Sequence, residues 1–175
     1  MNGIILYGSR YAARQYAQAL EDRPPSRFLR RGKDFGPFDT IVYVGGLYVG
    51  KTTGLAKTAR RLPTDHPFRL LVATVGLADP ANEDNLLSIR ESLAKELSPG
   101  IFVRTAHVPL RGAIDYQALS TKHRLMMKGL CAILRRQPVT ERTADTQALL
   151  DSYGNAASFI DFDNLAPIEA WLKKG

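Results

Sequence analysis

Cysteine is almost absent from this sequence. Cys131 is the only one in 175 residues, so no disulfide can form within the chain. This usage fits a reducing compartment and predicts a cytoplasmic protein. No apolar run approaches the roughly 20 residues that a helix needs to cross a bilayer. The three histidines, His66, His107 and His123, are too far apart to form a metal-binding spacing, so no metal site is predicted.

Acidic residues are fewer than basic ones. The chain has 24 Lys and Arg against 17 Asp and Glu, a net charge of +7. This balance favours anionic partners: a phosphorylated cofactor, an acidic redox partner, anionic lipid or nucleic acid. The basic residues are scattered, and no recognisable nucleic-acid motif accompanies them. We therefore expect a solvated basic surface rather than a nucleic-acid site.

Strand-like and helix-like patterns alternate along most of the chain. Such alternation predicts an α/β domain in which helices cover both faces of a parallel sheet. Four apolar runs predict buried strands, and a fifth segment predicts a short edge strand. In chain order these are Gly3–Tyr7, Arg27–Arg30 (the edge strand), Thr40–Val44, Phe68–Thr74 and Ile101–Val108.

Helical periodicity is expected in six segments: Tyr11–Glu21, Gly54–Leu62, Asn82–Leu97, Thr121–Gln137, Thr143–Tyr153 and Ala166–Lys174. The fourth of these is basic and carries Met126, Leu130, Ile133 and Leu134 on one face. We expect that face to pack on the domain with the charges in water, and Cys131 to lie in the core. The alternative is that this helix lies on an anionic membrane surface.

Five parallel strands in this sequence suit the order 2-1-3-4-5, in which a ligand crevice opens where the order reverses, between the first and third strands. Residues 1–175 contain no long linker or repeat and are expected to form one domain. The loops after the first, third and fourth strands should meet at the crevice: Ser9–Arg14, Gly45–Lys51 and Thr74–Asp79.

The first of these loops has features of a phosphate site. The Ser9 hydroxyl, beside a helix N-terminus, can donate to a phosphate together with free backbone N–H groups and the helix dipole. Arg10 or Arg14 can add charge-assisted hydrogen bonds. Alternatively, Ser9 only caps the helix.

Eight stretches occur in an order typical of one known family: Tyr7–Tyr11, Gly45–Lys51, Thr74–Pro80, Leu110–Gly112, Asp115–Tyr116, Met126–Lys128, Glu141–Thr143 and Tyr153–Gly154. With them the chain resembles the flavodoxin-domain family, particularly its branch similar to the flavodoxin-like protoporphyrinogen oxidases. The resemblance spans nearly the whole chain. It implies a flavodoxin-like three-layer sandwich that binds flavin mononucleotide (FMN).

The resemblance also implies where FMN binds. The first loop would hold the phosphate, and the other two would flank the isoalloxazine ring, with Tyr48 stacked on it. Backbone N–H groups at Gly46 or Gly76 would bond the flavin and tune its reduction potential. The implied site comprises Ser9, Arg10, Tyr11, Ala12, Ala13, Arg14, Gly45, Gly46, Leu47, Tyr48, Val49, Thr74, Val75, Gly76, Leu77 and Asp79. Alternatively, Tyr48 is a loop aromatic that packs on the adjacent helix.

The first loop departs from the family pattern. Flavodoxin phosphate loops alternate hydroxyl residues with a glycine, whereas Tyr11, Ala12 and Ala13 stand here. We therefore expect weaker FMN binding than in relatives with an intact loop. Three functions remain open: an FMN oxidoreductase with a small-molecule electron acceptor, an electron carrier with a redox partner, and a cofactor-free interaction domain.

A rival phosphate-binding pattern covers Gly45–Thr52. A glycine, four residues and then Gly50-Lys51-Thr52 match the phosphate loop of nucleoside triphosphatases. Lys51 would contact the terminal phosphates and Thr52 a Mg²⁺ ion. This loop follows the third predicted strand rather than the first, and only 14 residues follow Asp161, so triphosphatase activity is the less favoured alternative.

Overall fold

The computed structural model describes the following parts of the chain: 3–7, 12–22, 28–30, 38–48, 50–63, 66–116, 121–142 and 144–174. Its strands are β1 (Gly3–Tyr7), β2 (Phe28–Arg30), β3 (Thr40–Tyr48), β4 (Lys51–Thr52), β5 (Arg69–Gly76), β6 (Thr105–Arg111), β7 (Ala113–Asp115) and β8 (Ala156–Ser158). Its α-helices are α1 (Ala12–Glu21), α2 (Leu55–Ala59), α3 (Glu83–Glu96), α4 (Pro99–Phe102), α5 (Thr121–Leu134), α6 (Ala144–Asp151) and α7 (Ala166–Lys173).

The main sheet has the predicted topology. Strands β2, β1, β3, β5 and β6 lie side by side in that order, and all four pairings are parallel. Counted along the chain, these five strands have the order 2-1-3-4-5. Helices α1 and α7 cover one face and α2, α3 and α4 cover the other. The predicted flavodoxin-like three-layer sandwich is confirmed.

Side-chain alternation along the central strands builds two cores, one on each face of the sheet. Val44 and Ala73 are register partners that pack with α1 and α7, while Tyr43 and Val72 are register partners that pack with α2 and α3. Both sides of each strand are buried, which explains why these strands are continuous apolar runs rather than alternating ones.

The third strand is longer than predicted. It passes through Gly45 and Gly46 to Tyr48 and then pairs with the short antiparallel strand β4, which adds a sixth strand to the sheet. Gly50 forms the turn with a φ of +70°, which glycine adopts without steric cost. The segment predicted as the second crevice loop is therefore largely a β-hairpin.

The fifth predicted strand begins later than expected. Ile101 and Phe102 lie in the short helix α4, whose first residue, Pro99, is suited to a helix start. The parallel strand then runs from Thr105 to Arg111. Beyond it, β7 pairs with β8 in a separate antiparallel sheet, although no strand was predicted near residue 156.

Helix α5 buries a different face from the one predicted. Met127 and Cys131 are 5% and 1% exposed, whereas Met126 and Ile133 are 46% and 62% exposed. Cys131 lies against Tyr116, so the prediction that it belongs to the core is confirmed. Apolar side chains occur on two sides of this helix, and periodicity alone could not show which side meets the domain.

Candidate functional site

The carboxyl ends of the parallel strands form a stepped edge. The last residue of β1, Tyr7, is level with Val44, and β3 continues from there to Tyr48. The pairing of Gly46 with Val75 shows that β5 also extends past β1. The step therefore lies between β1 and β3, where the strand order reverses and ligands bind in doubly wound sheets.

The first predicted loop is only partly visible. Three of its residues lie outside the described part of the chain: Ser9, Arg10 and Tyr11. Ala12 and Ala13 begin α1, with side chains 4% and 1% exposed in the core. Arg14 is exposed. At the start of α1, a ligand can therefore meet backbone groups and the Arg14 side chain, because both alanine side chains are occupied by packing.

The second predicted loop is the β3–β4 hairpin, in which Gly45, Gly46, Leu47 and Tyr48 are strand residues, while Val49 lies outside the described residues.

Gly45 is required by close packing. A Cβ atom there would stand 2.9 Å from the Cε1 of Tyr43 and closer still to the Cγ2 of Thr52. The Gly46 carbonyl accepts hydrogen bonds from the backbone N and the Oγ1 of Thr53, at 2.9 and 2.8 Å. The absence of a side chain at Gly45 thus allows the hairpin to fold against its own strand, and the Gly46 carbonyl holds Thr53 in place.

Glu96 attaches this hairpin to α3. Its Oε1 accepts a 2.8 Å hydrogen bond from the backbone N–H of Thr52. Ser92, one turn earlier, donates from its hydroxyl to the Gly50 carbonyl. Tyr48, at the end of β3, remains 43% exposed and is therefore held at the edge with its ring available for contact.

These bonds differ from what a triphosphatase loop requires. Such a loop presents free backbone N–H groups at the start of a helix. Here the N–H groups of Thr52 and Thr53 already donate to Glu96 and Gly46, and α2 starts only at Leu55. The local geometry thus counts against the Gly45–Thr52 alternative.

The third predicted loop begins inside the core. Thr74 and Val75 are 0% and 6% exposed, while Gly76 and Leu77 are half-buried at the edge. Asp79 is exposed, and its carboxylate accepts a 2.9 Å hydrogen bond from the backbone N–H of Ala81, in the turn that leads to α3. Only the segment from Gly76 onward can meet a ligand.

Thr74 instead contacts a half-buried imidazole. Its Oγ1 lies 2.8 Å from the Nε2 of His107, which belongs to the neighbouring strand β6 and lies on the same face of the sheet. Burial lowers the pKa of His107 to about 4, and the positive charge of Arg90 lowers it further in the same direction. His107 is therefore neutral in the folded protein near pH 7.

The low pKa of His107 predicts a loss of stability in mild acid. The unfolded chain, with a histidine pKa near 6.5, binds a proton that the folded protein accepts only near pH 4. The stabilisation that comes from keeping His107 neutral is complete above pH 6.5. As the pH falls to about 4, the free energy of unfolding should decrease by up to about 3 kcal/mol. Urea unfolding at several pH values measures it. His107→Gln should flatten this slope; a slope equal to that of the native chain would contradict the assignment.

Arg111, at the end of β6, is a site residue that sequence reasoning missed. Its guanidinium lies 3.8 Å above the Phe159 ring, and Nη2 donates to the Leu77 carbonyl at 3.2 Å. Its Nε is buried and has no hydrogen-bond partner within the described residues. Arg111 thus brings a positive charge to the loop after β5. Its partner Phe159 is 48 positions away, a contact that no local pattern indicates.

Gly112 closes the edge beside Arg111. Its N–H donates to the Gly76 carbonyl at 2.6 Å, and its own carbonyl accepts from Phe159 N–H at 3.0 Å. A Cβ at this position would stand 2.9 Å from Val75 Cγ1 and 3.5 Å from Ala12 Cβ. Leu110–Gly112 is one of the stretches that carry the resemblance described above, which implies no role for it.

Tyr16 joins three parts of the molecule behind this edge. The side chain is fully buried, and its hydroxyl donates to the Arg111 carbonyl at 2.7 Å. The same oxygen accepts from the Asp161 backbone N–H at 3.0 Å. Burial raises the pKa of Tyr16 above its ordinary value, so the phenol stays protonated. Tyr16 thereby fixes α1 relative to β6 and to the segment before α7.

Comparisons with known proteins assign no family: no protein-family model matches the chain and no curated protein matches it. Among the described residues, no group of three or more His, Cys, Asp and Glu is arranged to hold a metal ion. The described helices are all too short or too polar to cross a membrane.

Proposed function

We propose that the chain binds FMN at the carboxyl edge of the sheet, in the step between β1 and β3, and acts in electron transfer or as an FMN-dependent oxidoreductase. The observation that supports this most is the reversal of strand order there, in a flavodoxin-like sheet, with Tyr48 exposed at the end of β3. A redox partner or a small-molecule acceptor would take the electrons. The single cysteine, buried at position 131, suits a reducing cytoplasm.

The residues at the edge fit such a group. Tyr48 offers an aromatic face to the isoalloxazine, and the backbone from Gly76 onward lies at the neighbouring strand end. The start of α1 supplies helix-dipole attraction for the phosphate, with Arg14 exposed nearby. Arg111 adds positive charge on the β6 side. When bound, FMN would supply one- and two-electron redox chemistry.

The cofactor-free alternative rests on the start of α1. Ala12 and Ala13 are buried and carry no hydroxyl, so they offer a phosphate only backbone groups. Triphosphatase activity is less well supported, because the Lys51–Thr52 segment is a strand.

Titration with FMN and riboflavin tests the proposal, because the two ligands differ by the phosphate. Charge-assisted hydrogen bonds contribute about 1.5–3 kcal/mol each. We expect FMN to bind at least about tenfold more tightly than riboflavin, which corresponds to about 1.4 kcal/mol. Tyr48→Ala should weaken the binding of both flavins by about two- to tenfold, because the stacking on the ring is lost. Tyr48→Phe keeps an aromatic ring and should keep the native affinities. Flavin fluorescence or calorimetry measures all of these affinities.

Each other outcome favours a different function. Equal affinity for the two flavins would mean that phosphate is not recognised at this edge. No binding of either flavin would favour a cofactor-free domain. Micromolar binding of Mg²⁺–ATP that is lost in Lys51→Ala would favour the triphosphatase. If FMN binds, turnover with a reductant and a candidate acceptor distinguishes an oxidoreductase from an electron carrier.

A further inference from the structure

Helix α5 has a second apolar face that the domain does not cover. Leu125, Met126 and Ile133 are 72%, 46% and 62% exposed. At 100° per residue they lie with the exposed small residues Gly129 and Ala132 on one stripe along the helix. This stripe, Leu125 to Ile133, is nearly opposite the buried face, and so α5 is apolar on two sides.

Positive charge lies near both ends of the stripe and along one flank. Residues 116–140 contain no Asp or Glu. Lys122 is exposed in line with the stripe near its start, Lys128 is exposed on its flank, and Arg136 is exposed in the turn that follows α5. An apolar stripe with cations at its borders is complementary to a surface that is anionic outside and apolar beneath.

We propose that this face of α5 docks in the plane of an anionic lipid surface. Leu125, Met126 and Ile133 would enter the boundary between headgroups and acyl chains, as the apolar side of an interfacial helix does. Lys122, Lys128 and Arg136 have long stems that let their charged groups reach lipid phosphates while the apolar residues stay buried. This proposal stands independently of FMN binding.

Size and charge favour lipid over a protein partner. Fourteen residues give a helix about 21 Å long and about 10 Å wide, hence a footprint of about 200 Å². A stable protein interface buries about 800 Å² on each partner. A second copy of the chain would also bring the same cations face to face. A lipid surface needs no matching contour, and its binding grows with apolar area and anionic charge.

Vesicle co-sedimentation of the full chain tests the proposal. The protein should bind vesicles of phosphatidylcholine mixed with phosphatidylserine, and should not bind phosphatidylcholine alone. The double variant Leu125→Ser with Ile133→Ser should reduce the partition coefficient at least about tenfold. Its matched control is Leu87→Ser with Val103→Ser, at apolar positions 61% and 82% exposed outside α5, which should bind like the native chain.

A charge reversal provides the second comparison. Lys128→Glu should weaken binding to the mixed vesicles at least about fivefold, because each cation near the surface contributes about 1 kcal/mol. The control is Lys95→Glu, at an exposed position on α3, which changes the net charge by the same amount. It should change the logarithm of the partition coefficient by less than half as much as Lys128→Glu does. Circular dichroism checks that each variant is folded.

Three results would overturn the proposal. The first is an equal effect of the stripe variant and its control on vesicle binding, which would mean that the apolar face of α5 does not mediate it. The second is absence of binding to the mixed vesicles at low salt. The third is a dimer in sedimentation velocity that the stripe variant abolishes, which would assign this face to a second copy of the chain.

Discussion

Tyr16→Ala is expected to lower the free energy of unfolding by about 3–5 kcal/mol, one of the two largest effects that we predict for a single substitution. The ring is fully buried among α1, the central strands and α7, and it packs edge-to-face on Phe162 at a centroid distance of 5.6 Å. Truncating a buried aromatic side chain removes its transfer free energy and leaves a cavity. Urea denaturation, with the slope m compared between variants, measures the loss.

Tyr16→Phe separates the hydroxyl from the ring. The hydroxyl serves the Arg111 carbonyl and the Asp161 N–H, and its removal leaves both groups without this partner. We expect a loss of about 1–3 kcal/mol. Tyr48→Phe, at an exposed position, is the matched control and should stay within about 0.5 kcal/mol of the native chain. An equally small effect of Tyr16→Phe would show that the hydroxyl does not join α1 to the edge.

Gly45→Ala is expected to destabilise the fold by about 1–3 kcal/mol, the cost of overpacking a core. The new Cβ would meet the Tyr43 ring and the Thr52 side chain, both of which are buried. Relief requires the hairpin to move away from β3, and the bond from Thr52 N–H to Glu96 resists that movement. Thermal and urea unfolding both measure this effect.

Gly129→Ala is the matched control. A Cβ there meets nothing within 4 Å, and the residue lies inside α5, so alanine should stabilise the protein by about 0.5–1 kcal/mol. If Gly45→Ala left stability unchanged, the hairpin would not be packed as described. The phosphate-loop alternative for Gly45–Thr52 would then regain support.

Much of the fold could be predicted from the sequence because the central strands are buried on both faces. Runs such as Thr40–Val44 then have few alternatives, and their order along the chain limits the topology. The extension of β3 to Tyr48 could not be predicted in the same way. Gly45-Gly46 usually indicates the end of a strand, whereas here Gly45 lies inside the strand and makes room for the Thr52 side chain.

The candidate site was predictable only in outline. The topology rule located the edge and Tyr48. It could not assign roles to Arg111, Gly112 and Phe159, because their contacts join segments about 50 residues apart. The buried face of α5 could not be predicted for a related reason. Both faces of this helix are apolar, and which of them packs on the domain depends on tertiary contacts such as that of Cys131 with Tyr116.

Backbone amide chemical shifts recorded during a titration with FMN test the central claim most directly. The proposal predicts that the largest shifts fall at the carboxyl edge, at Gly46–Tyr48, at Gly76–Asp79 and at the start of α1. Amides of α5 should be unaffected. Saturable shifts confined to other surfaces, or no shifts at FMN concentrations that cover the millimolar range expected of weak ligands, would contradict the assignment of an FMN site to this edge.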